Sequence, residues 1–212
     1  FQICELKMLY DYILENYEKD EPIFLEELPG RSKDSIRQEM KHLTDEGKLE
    51  RLYNGVYYIS YVSILGTKGK VSIEKYVDKK FLNVKGLVSG YLTGLHLANI
   101  YGFTTQNSAC LEVCSNEATT KQRKINIDGR IIIIYKPLVV ITEENKTALQ
   151  FLDFMSTIDK YNELEEEEYK EKLKRFVKAM NVDFSVVKQY ISVFPDCVYR
   201  NIYQGGLMNE LV

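Results

Sequence analysis

Arg31, Lys33, Ser35, Arg37, Gln38, Lys41 and His42 crowd one short stretch of this chain. Their shared chemistry is hydrogen-bond donation. Guanidinium and ammonium groups suit phosphate oxygens, and a glutamine amide matches the N6/N7 edge of adenine. Such side chains can read a duplex only if one element presents them together, and the stretch predicts that element. Ser32 stands where an N-cap belongs, and Asp34 lies in the first turn, where the helix dipole favours an anion. The helix is expected to run to Glu46 and stop at Gly47. At roughly 100° per residue, Ile36, Met40 and Leu43 share one inward face. Ser35, Gln38, Lys41 and His42 share the opposite face, with Arg37 on its flank and Arg31 and Lys33 at the N-terminal end.

The neighbouring elements would have to position this helix. Ile23–Leu28 reads as a short helical turn closed by Pro29-Gly30. After the helix, Leu49–Tyr53 and Val56–Ile59 read as strands joined by Asn54-Gly55, a pair that tolerates the two positive φ angles of a type I′ turn. A regular two-residue turn would pair Tyr53 with Val56, Leu52 with Tyr57 and Arg51 with Tyr58. Leu52, Tyr57 and Ile59 would then cover the core, while Arg51, Tyr53 and Tyr58 would face phosphates. Upstream, Leu6, Leu9, Tyr10, Ile13, Leu14 and Tyr17 recur at helical spacing. A helix–turn–helix followed by a hairpin is the winged-helix arrangement, and helix–turn–helix folds mostly lay the second helix in the major groove. Charge sets a counterweight. Arg31–Arg51 holds six Lys/Arg against five Asp/Glu, and residues 1–60 hold thirteen acids against eight bases. Winged helices also serve as protein-interaction modules, and that alternative stays open.

Elsewhere the chemistry thins out. Glu112 is the best starting point for a metal-dependent nuclease, but Val113-Cys114 follows it and the carboxylate-x-lysine pattern is absent. The two histidines, His42 and His96, make no zinc-ligand spacing with Cys4 or Cys197, a Cys110–His96 nucleophile pair has no supporting motif, and His96 reads as a core residue. The chain has four cysteines, Cys4, Cys110, Cys114 and Cys197, with no CxxC pair. On one strand, Cys110 and Cys114 would stand too far apart for a disulfide. No phosphate-cradling glycine loop is present. Neither a metal nor a cofactor is therefore expected. The run Glu163, Glu165, Glu166, Glu167 and Glu168 opens a helix whose later turns hold Lys170, Lys172, Lys174, Arg175 and Lys178. That order suits the dipole and gives Glu166–Lys170 and Glu168–Lys172 pairs on a solvated face. Lys121, Arg123, Lys124, Arg130 and Lys136 make a second hairpin basic around an Asp128-Gly129 turn. It reads equally as a contact for nucleic acid or an acidic partner and as a charged sheet edge.

With 212 residues, 45% hydrophobic and 28% charged, the composition is that of a globular protein, and a net charge of −3 gives no bulk attraction to nucleic acid or membrane. Phe1–Tyr17 reads as an amphipathic helix rather than a signal peptide, the missing initiator Met points to a trimmed start, and no apolar run spans a bilayer. A cytoplasmic protein with reduced thiols is expected. Past Gly66-Thr67-Lys68-Gly69, the pattern predicts a helix over Val71–Phe81, a short buried element at Gly86–Gly90 and a central helix over Tyr91–Tyr101. A strand is expected at Ala109–Cys114, then the basic hairpin, whose Ile131–Tyr135 run should be buried on both faces. A further short strand is expected at Leu138–Ile141. Three helices follow, marked by Ala148/Leu149/Leu152/Met155, by Tyr169/Leu173/Phe176/Val177/Met180 and by Val186/Val187/Tyr190/Ile191/Phe194. The tail from Cys197 carries no clear pattern.

Two segments carry a family resemblance. Gly47-Lys48-Leu49-Glu50-Arg51-Leu52-Tyr53-Asn54-Gly55-Val56-Tyr57 resembles the end of the N-terminal module of AbiEi-type antitoxins, which belong to bacterial type IV toxin–antitoxin systems. The stretch Gly90–Gln106, GYLTGLHLANIYGFTTQ, resembles the start of the second domain in one branch of them, and the likeness extends over roughly residues 5–160. It implies a winged helix that binds operator DNA and represses its own operon, with Gln38, Lys41, Arg51 and Tyr57 matching the recognition helix and wing. It further implies a second domain that counteracts a nucleotidyltransferase-like toxin, without requiring direct contact; the absence of paired carboxylates, metal-ligand spacing and a nucleotide loop predicts no catalytic activity. The expected architecture is α/β (α+β): a winged helix over residues 1–61, a mixed sheet-and-helix effector domain over 62–160, and a helical extension over 161–212 packed on it.

Overall fold

The computed structural model describes residues 2–29, 32–64 and 66–211, as backbone alone for residues 2–8. It is mixed α+β and divides into two compact units, Phe1–Lys79 and Lys80–Val212.

In the first unit, α1 (Gln2–Asn16) buries Leu9 and Ile13, whereas Leu14 on the same apolar pattern is exposed. The helical turn expected at Ile23–Leu28 begins instead as a strand, β1 (Ile23–Phe24), and only Leu25–Glu27 coils, as a 3-10 turn. Ile23 and Phe24 pair with Tyr57 and Val56, and Leu25 N donates to Gly55 O at 3.0 Å. Two fully apolar residues after a proline gain more by completing a sheet than by starting a helix. Helix α2 (Lys33–Asp45) follows the sequence closely. Ser32 Oγ accepts from Ser35 N at 3.1 Å, Ile36, Met40 and Leu43 are buried, and Gly47 takes φ 73° beyond the last turn.

Strands β2 (Leu49–Tyr53) and β3 (Val56–Ile59) form the hairpin, and the sheet order is β1-β3-β2. Its register departs from the regular one. Tyr53 pairs with Val56, but Arg51 pairs with Tyr57, Glu50 with Tyr58 and Leu49 with Ile59. Leu52 is a bulge without a partner, a device that bends and twists the strand. Because β3 is the central strand, Tyr57 and Tyr58 are both buried on its opposite faces. Tyr58 therefore does not face solvent with Arg51 as the regular register would require.

The first unit extends beyond the expected boundary at residue 61. Ser72 caps α3 (Ile73–Val77), which passes into a π turn, Asp78–Leu82. Lys75 bonds Asp20, and Lys79 Nζ reaches Glu21 at 2.8 Å, Glu27 at 3.3 Å and the Pro22 carbonyl at 3.0 Å. The Tyr76 ring lies 6.0 Å from Phe24 and 6.4 Å from Tyr53. These contacts bind residues 72–79 to the sheet of the first unit.

The second unit starts with a two-stranded hairpin, β4 (Asn83–Val84) and β5 (Leu87–Val88), whose Leu87 is exposed rather than buried as expected. The helix expected over Tyr91–Tyr101 splits into β6 (Gly90–Thr93) and α4 (Gly94–Ile100). Gly94, at φ 68°, makes the break, and an apolar run alone does not distinguish the two states. Strands β7 (Cys110–Ser115), β8 (Gln122–Ile127) and β9 (Arg130–Tyr135) complete a sheet of order β6-β7-β9-β8, in which β7 and β9 run parallel. The Asp128-Gly129 turn takes two positive φ angles, 49° and 83°. Ile132 and Ile134 are buried, but Ile131 is 40% exposed, so β9 is closed on one face and partly open on the other. Leu138–Ile141 forms no strand. The Asn116 amide instead bonds Ile141 O at 2.8 Å and N at 3.0 Å, taking the place of a strand partner.

Helices α5 (Lys146–Thr157), α6 (Glu166–Met180), α7 (Phe184–Tyr190) and α8 (Cys197–Gln204) finish the unit. Leu149, Leu152, Leu173, Val187, Val198 and Ile202 join Tyr91 and Leu97 in one core. Phe103 is its hub, with ring centroids 5.1 Å from Phe154 and 5.8 Å from Phe176. Helices α6, α7 and α8 thus share in the core of the second unit rather than forming an extension packed on a finished domain. No helix among the described residues is long and apolar enough to cross a membrane.

Candidate functional site

The exposed cations of α2 and of the hairpin meet across a groove of about 680 Å³. Arg37 and Lys41, one turn apart, line one side, while Arg51, Asn54 and Gly55 line the other, with Tyr57 between them. Arg51 reaches this position because the bulge pairs it with Tyr57. Its guanidinium bonds Asn54 Oδ1 across the turn, with Nε 3.4 Å from Tyr53 O. Asp45 also lines the groove, and Arg37 Nη1 is held by Asp34 at 3.0 Å. Exposed pairs of this kind are weak.

The remaining residues expected to contact DNA fall into different positions. Lys33, Gln38 and His42 are exposed on α2 outside the groove. Ser35 is half-buried, and its Oγ donates to Glu39 Oε1 at 3.1 Å. Tyr53 packs edge-on against Tyr76, and Tyr58 is buried, with its hydroxyl pushed up by burial and by Glu50. Burial keeps Tyr58 from a phosphate, while Tyr53 is half-buried. Tyr57 is both core and groove wall. Arg31 lies outside the described residues.

The basic hairpin of the second unit does not form one patch. Strand alternation puts Arg123 and Arg130 on the face that carries Ile127, Ile132 and Ile134, and Lys124 on the face that carries Ile133 and Glu112. Lys121 stands apart from all three, at the mouth of a cleft.

That cleft, of about 740 Å³, is the feature the sequence did not announce. Thr93 from β6, Glu112 from β7 and Asp153 from α5 form its floor. Glu112 is 8% exposed, and its Oε1 accepts from Leu95 N at 3.3 Å while Oε2 accepts from the Tyr135 hydroxyl at 2.8 Å. Gly94 is required beneath it: a Cβ there would stand 2.2 Å from Glu112 Oε1. Asp153 Oδ2 accepts from Thr93 Oγ1 at 2.6 Å. Burial raises the Asp153 carboxyl above its ordinary range, the Thr93 bond opposes that, and the charge of Glu112 adds to it. Burial likewise pushes the Cys114 thiol up to about 12, an unreactive state, and raises Tyr91, Tyr135 and Tyr161. Tyr91, Tyr135, Tyr161 and Phe194 make the walls, and Lys121, Lys136 and Lys160 the rim.

The sequence placed Glu112 on a strand but missed its partner. Asp153 interrupts the apolar periodicity of Ala148–Met155, a signal that it is enclosed, yet only the fold shows by what. Among the described residues no three His, Cys, Asp or Glu side chains converge as metal ligands. His96 is half-buried on α4. Cys110, Cys114 and Cys197 are free thiols.

Glu163, read as part of a solvated acidic face, has a separate role. Its carboxylate accepts from Thr105 N at 2.8 Å, Thr105 Oγ1 at 3.1 Å and Gln106 Nε2 at 2.7 Å. These bonds, the backbone one first, lower its pKa to about 2. Within α6, Lys170 bonds Glu166 at 2.6 Å as expected, whereas Lys172 lies against Gly102.

No protein-family model matches the chain, and no curated protein sequence matches it.

Proposed function

We propose that the first unit is a winged helix that binds double-stranded operator DNA, and that the chain is an antitoxin of a type IV toxin–antitoxin system. The observation that carries the DNA reading is the groove in which Arg37 and Lys41 of α2 face Arg51 and Asn54 of the hairpin. A helix and a hairpin tip carrying cations toward one groove suit a duplex, with α2 in the major groove and the hairpin on the phosphates. The order α1, β1, α2, β2, β3 with sheet order β1-β3-β2 supports it. The net acidity of residues 1–60 makes binding depend on these few cations, so affinity is modest and its salt dependence shallow.

The antitoxin part is supported by the resemblance of Gly47–Tyr57 and Gly90–Gln106. On this reading the protein is cytoplasmic, represses its own operon and counteracts a nucleotidyltransferase-like toxin through its second unit without catalysis. The test has two arms. The full chain should bind a duplex of its own promoter in preference to a random duplex at physiological salt, and co-expression should restore growth to cells carrying the neighbouring toxin. Equal affinity for both duplexes overturns the DNA reading, and absence of rescue overturns the antitoxin reading. The cleft that joins Glu112 and Asp153 carries the rival enzymatic reading. Purified protein with magnesium or manganese is expected to leave DNA and RNA intact. Cleavage that disappears in Asp153→Asn would replace the antitoxin assignment.

A further inference from the structure

The cleft of the second unit has three chemically distinct zones. At the rim, Lys121, Lys136 and Lys160 are exposed. Along the walls stand flat aromatic surfaces, led by Tyr135 and Tyr161. At the floor, hydrogen-bond acceptors are left over. Glu112 and Asp153 each bring two oxygens, an ionised carboxylate offers about four acceptor positions, and the protein's own donors are Leu95 N, Tyr135 Oη and Thr93 Oγ1. Asp153 Oδ1 has no hydrogen bond from any described residue.

A ligand that satisfies all three zones has an anionic end, a flat ring and an edge of N–H donors. A small zwitterion has the end charges but no ring and would leave most of a cleft of about 740 Å³ unfilled. A polyamine has donors but would be repelled by the rim. We propose that this cleft binds a nucleotide whose base carries an amino group, with the phosphates on the rim lysines and the base between the tyrosine walls. Its amino edge is read by Glu112 and Asp153. Carboxylates accept from an exocyclic amine as they do from cytosine N4, and a ring stacks on tyrosine with little regard to sequence. Uracil offers a single N–H and two carbonyl oxygens, and those oxygens would face the carboxylates. The floor thus discriminates against it. This inference is independent of the DNA reading, because every group it uses lies in the second unit.

The same nucleotide chemistry can come from a free nucleoside triphosphate or from the end of a single strand. Isothermal titration of the full chain with CTP, GTP, ATP and UTP, in EDTA, tests it. The amino-bearing nucleotides should bind at least tenfold more tightly than UTP. Lys136→Glu, a change at an exposed position, should weaken them at least fivefold with an unchanged melting temperature. Asp153→Asn, checked for its melting temperature, should cut the preference over UTP. A parallel titration with 5′-phosphorylated single-stranded oligonucleotides identifies the source: tighter binding than the free nucleotide assigns the cleft to a strand end, and weaker binding to the free nucleotide. Failure of all four nucleotides and of the oligonucleotides to bind at millimolar concentration overturns the proposal. UTP binding equal to CTP, or full affinity in Lys136→Glu, overturns it as well.

Discussion

The groove of the first unit and the cleft of the second are built on opposite plans. The groove lies between surface features. Arg37, Lys41 and Arg51 are exposed, and each is held by a neighbour three residues away or less, or by none. The cleft is assembled from long-range bonds: Thr93 to Asp153, Tyr135 to Glu112 and Gln150 Nε2 to Leu92 O at 2.8 Å. Its polar groups are also the joints between β6, β7, β9 and α5. Side chains of the groove can therefore change with little effect on folding, whereas those of the cleft floor cannot. On the proposed readings, function and stability are separable in one unit and fused in the other.

The largest test of that contrast removes a core side chain beneath the groove. Met40, on the inner face of α2, is fully buried, and Met40→Ala should cost the first unit about 2–5 kcal/mol. Denaturant titration should show that loss, with duplex binding falling along with it. The second unit should keep its own transition, and a single shared transition displaced as a whole would break the comparison. Next in size is Gly94→Ala. It forces an L-residue to φ 68° and sets a Cβ against Glu112. We expect a loss of about 1–3 kcal/mol in the second unit, together with loss of the cleft geometry, and unchanged affinity for DNA.

Smaller again is Arg51→Ala. Folding should be nearly unaffected, while affinity should fall by a similar factor for every duplex, and the slope of log affinity against log salt should decrease by about one. A loss confined to one sequence would mean that Arg51 reads a base. The smallest effect concerns Glu163. Its folded pKa is about 2 against an ordinary 4.5, so the clasp on Thr105 and Gln106 is fully present above about pH 4.5. Its contribution is lost as pH falls through about 2. Glu163→Gln should flatten the acid limb of stability in that window and leave neutral stability little changed. A pH-resolved melting series checks it.

The same contrast explains what the sequence disclosed. Ser32, Gly47 and Asn54-Gly55 are local signals, and the helix and hairpin they bound stand where those residues predict. The hairpin register did not follow, because a bulge at Leu52 leaves no mark in residue type and reverses which tyrosine lies beside Arg51. Tyr91–Thr93 read as helix because an apolar run is silent about period until Gly94 shows its positive φ. Arg123 and Lys124 read as one patch because a linear sequence hides strand alternation. Asp153 was the deepest omission. It is one acid in an apolar helix, and its meaning depends on Thr93 and Glu112, which chain topology brings from two separate strands.

Leu52 carries one more consequence. The pairs on either side of it, Tyr53 with Val56 and Arg51 with Tyr57, are those a regular hairpin would have if Leu52 were not there. The residue behaves as an insertion that the ladder absorbs without shifting its other partners. Excising it should leave a shorter, straighter hairpin with the same cross-strand neighbours. When related hairpins are aligned, a gap at this position should be common, and chains on either side of it should be compared as the same register rather than as slipped ones.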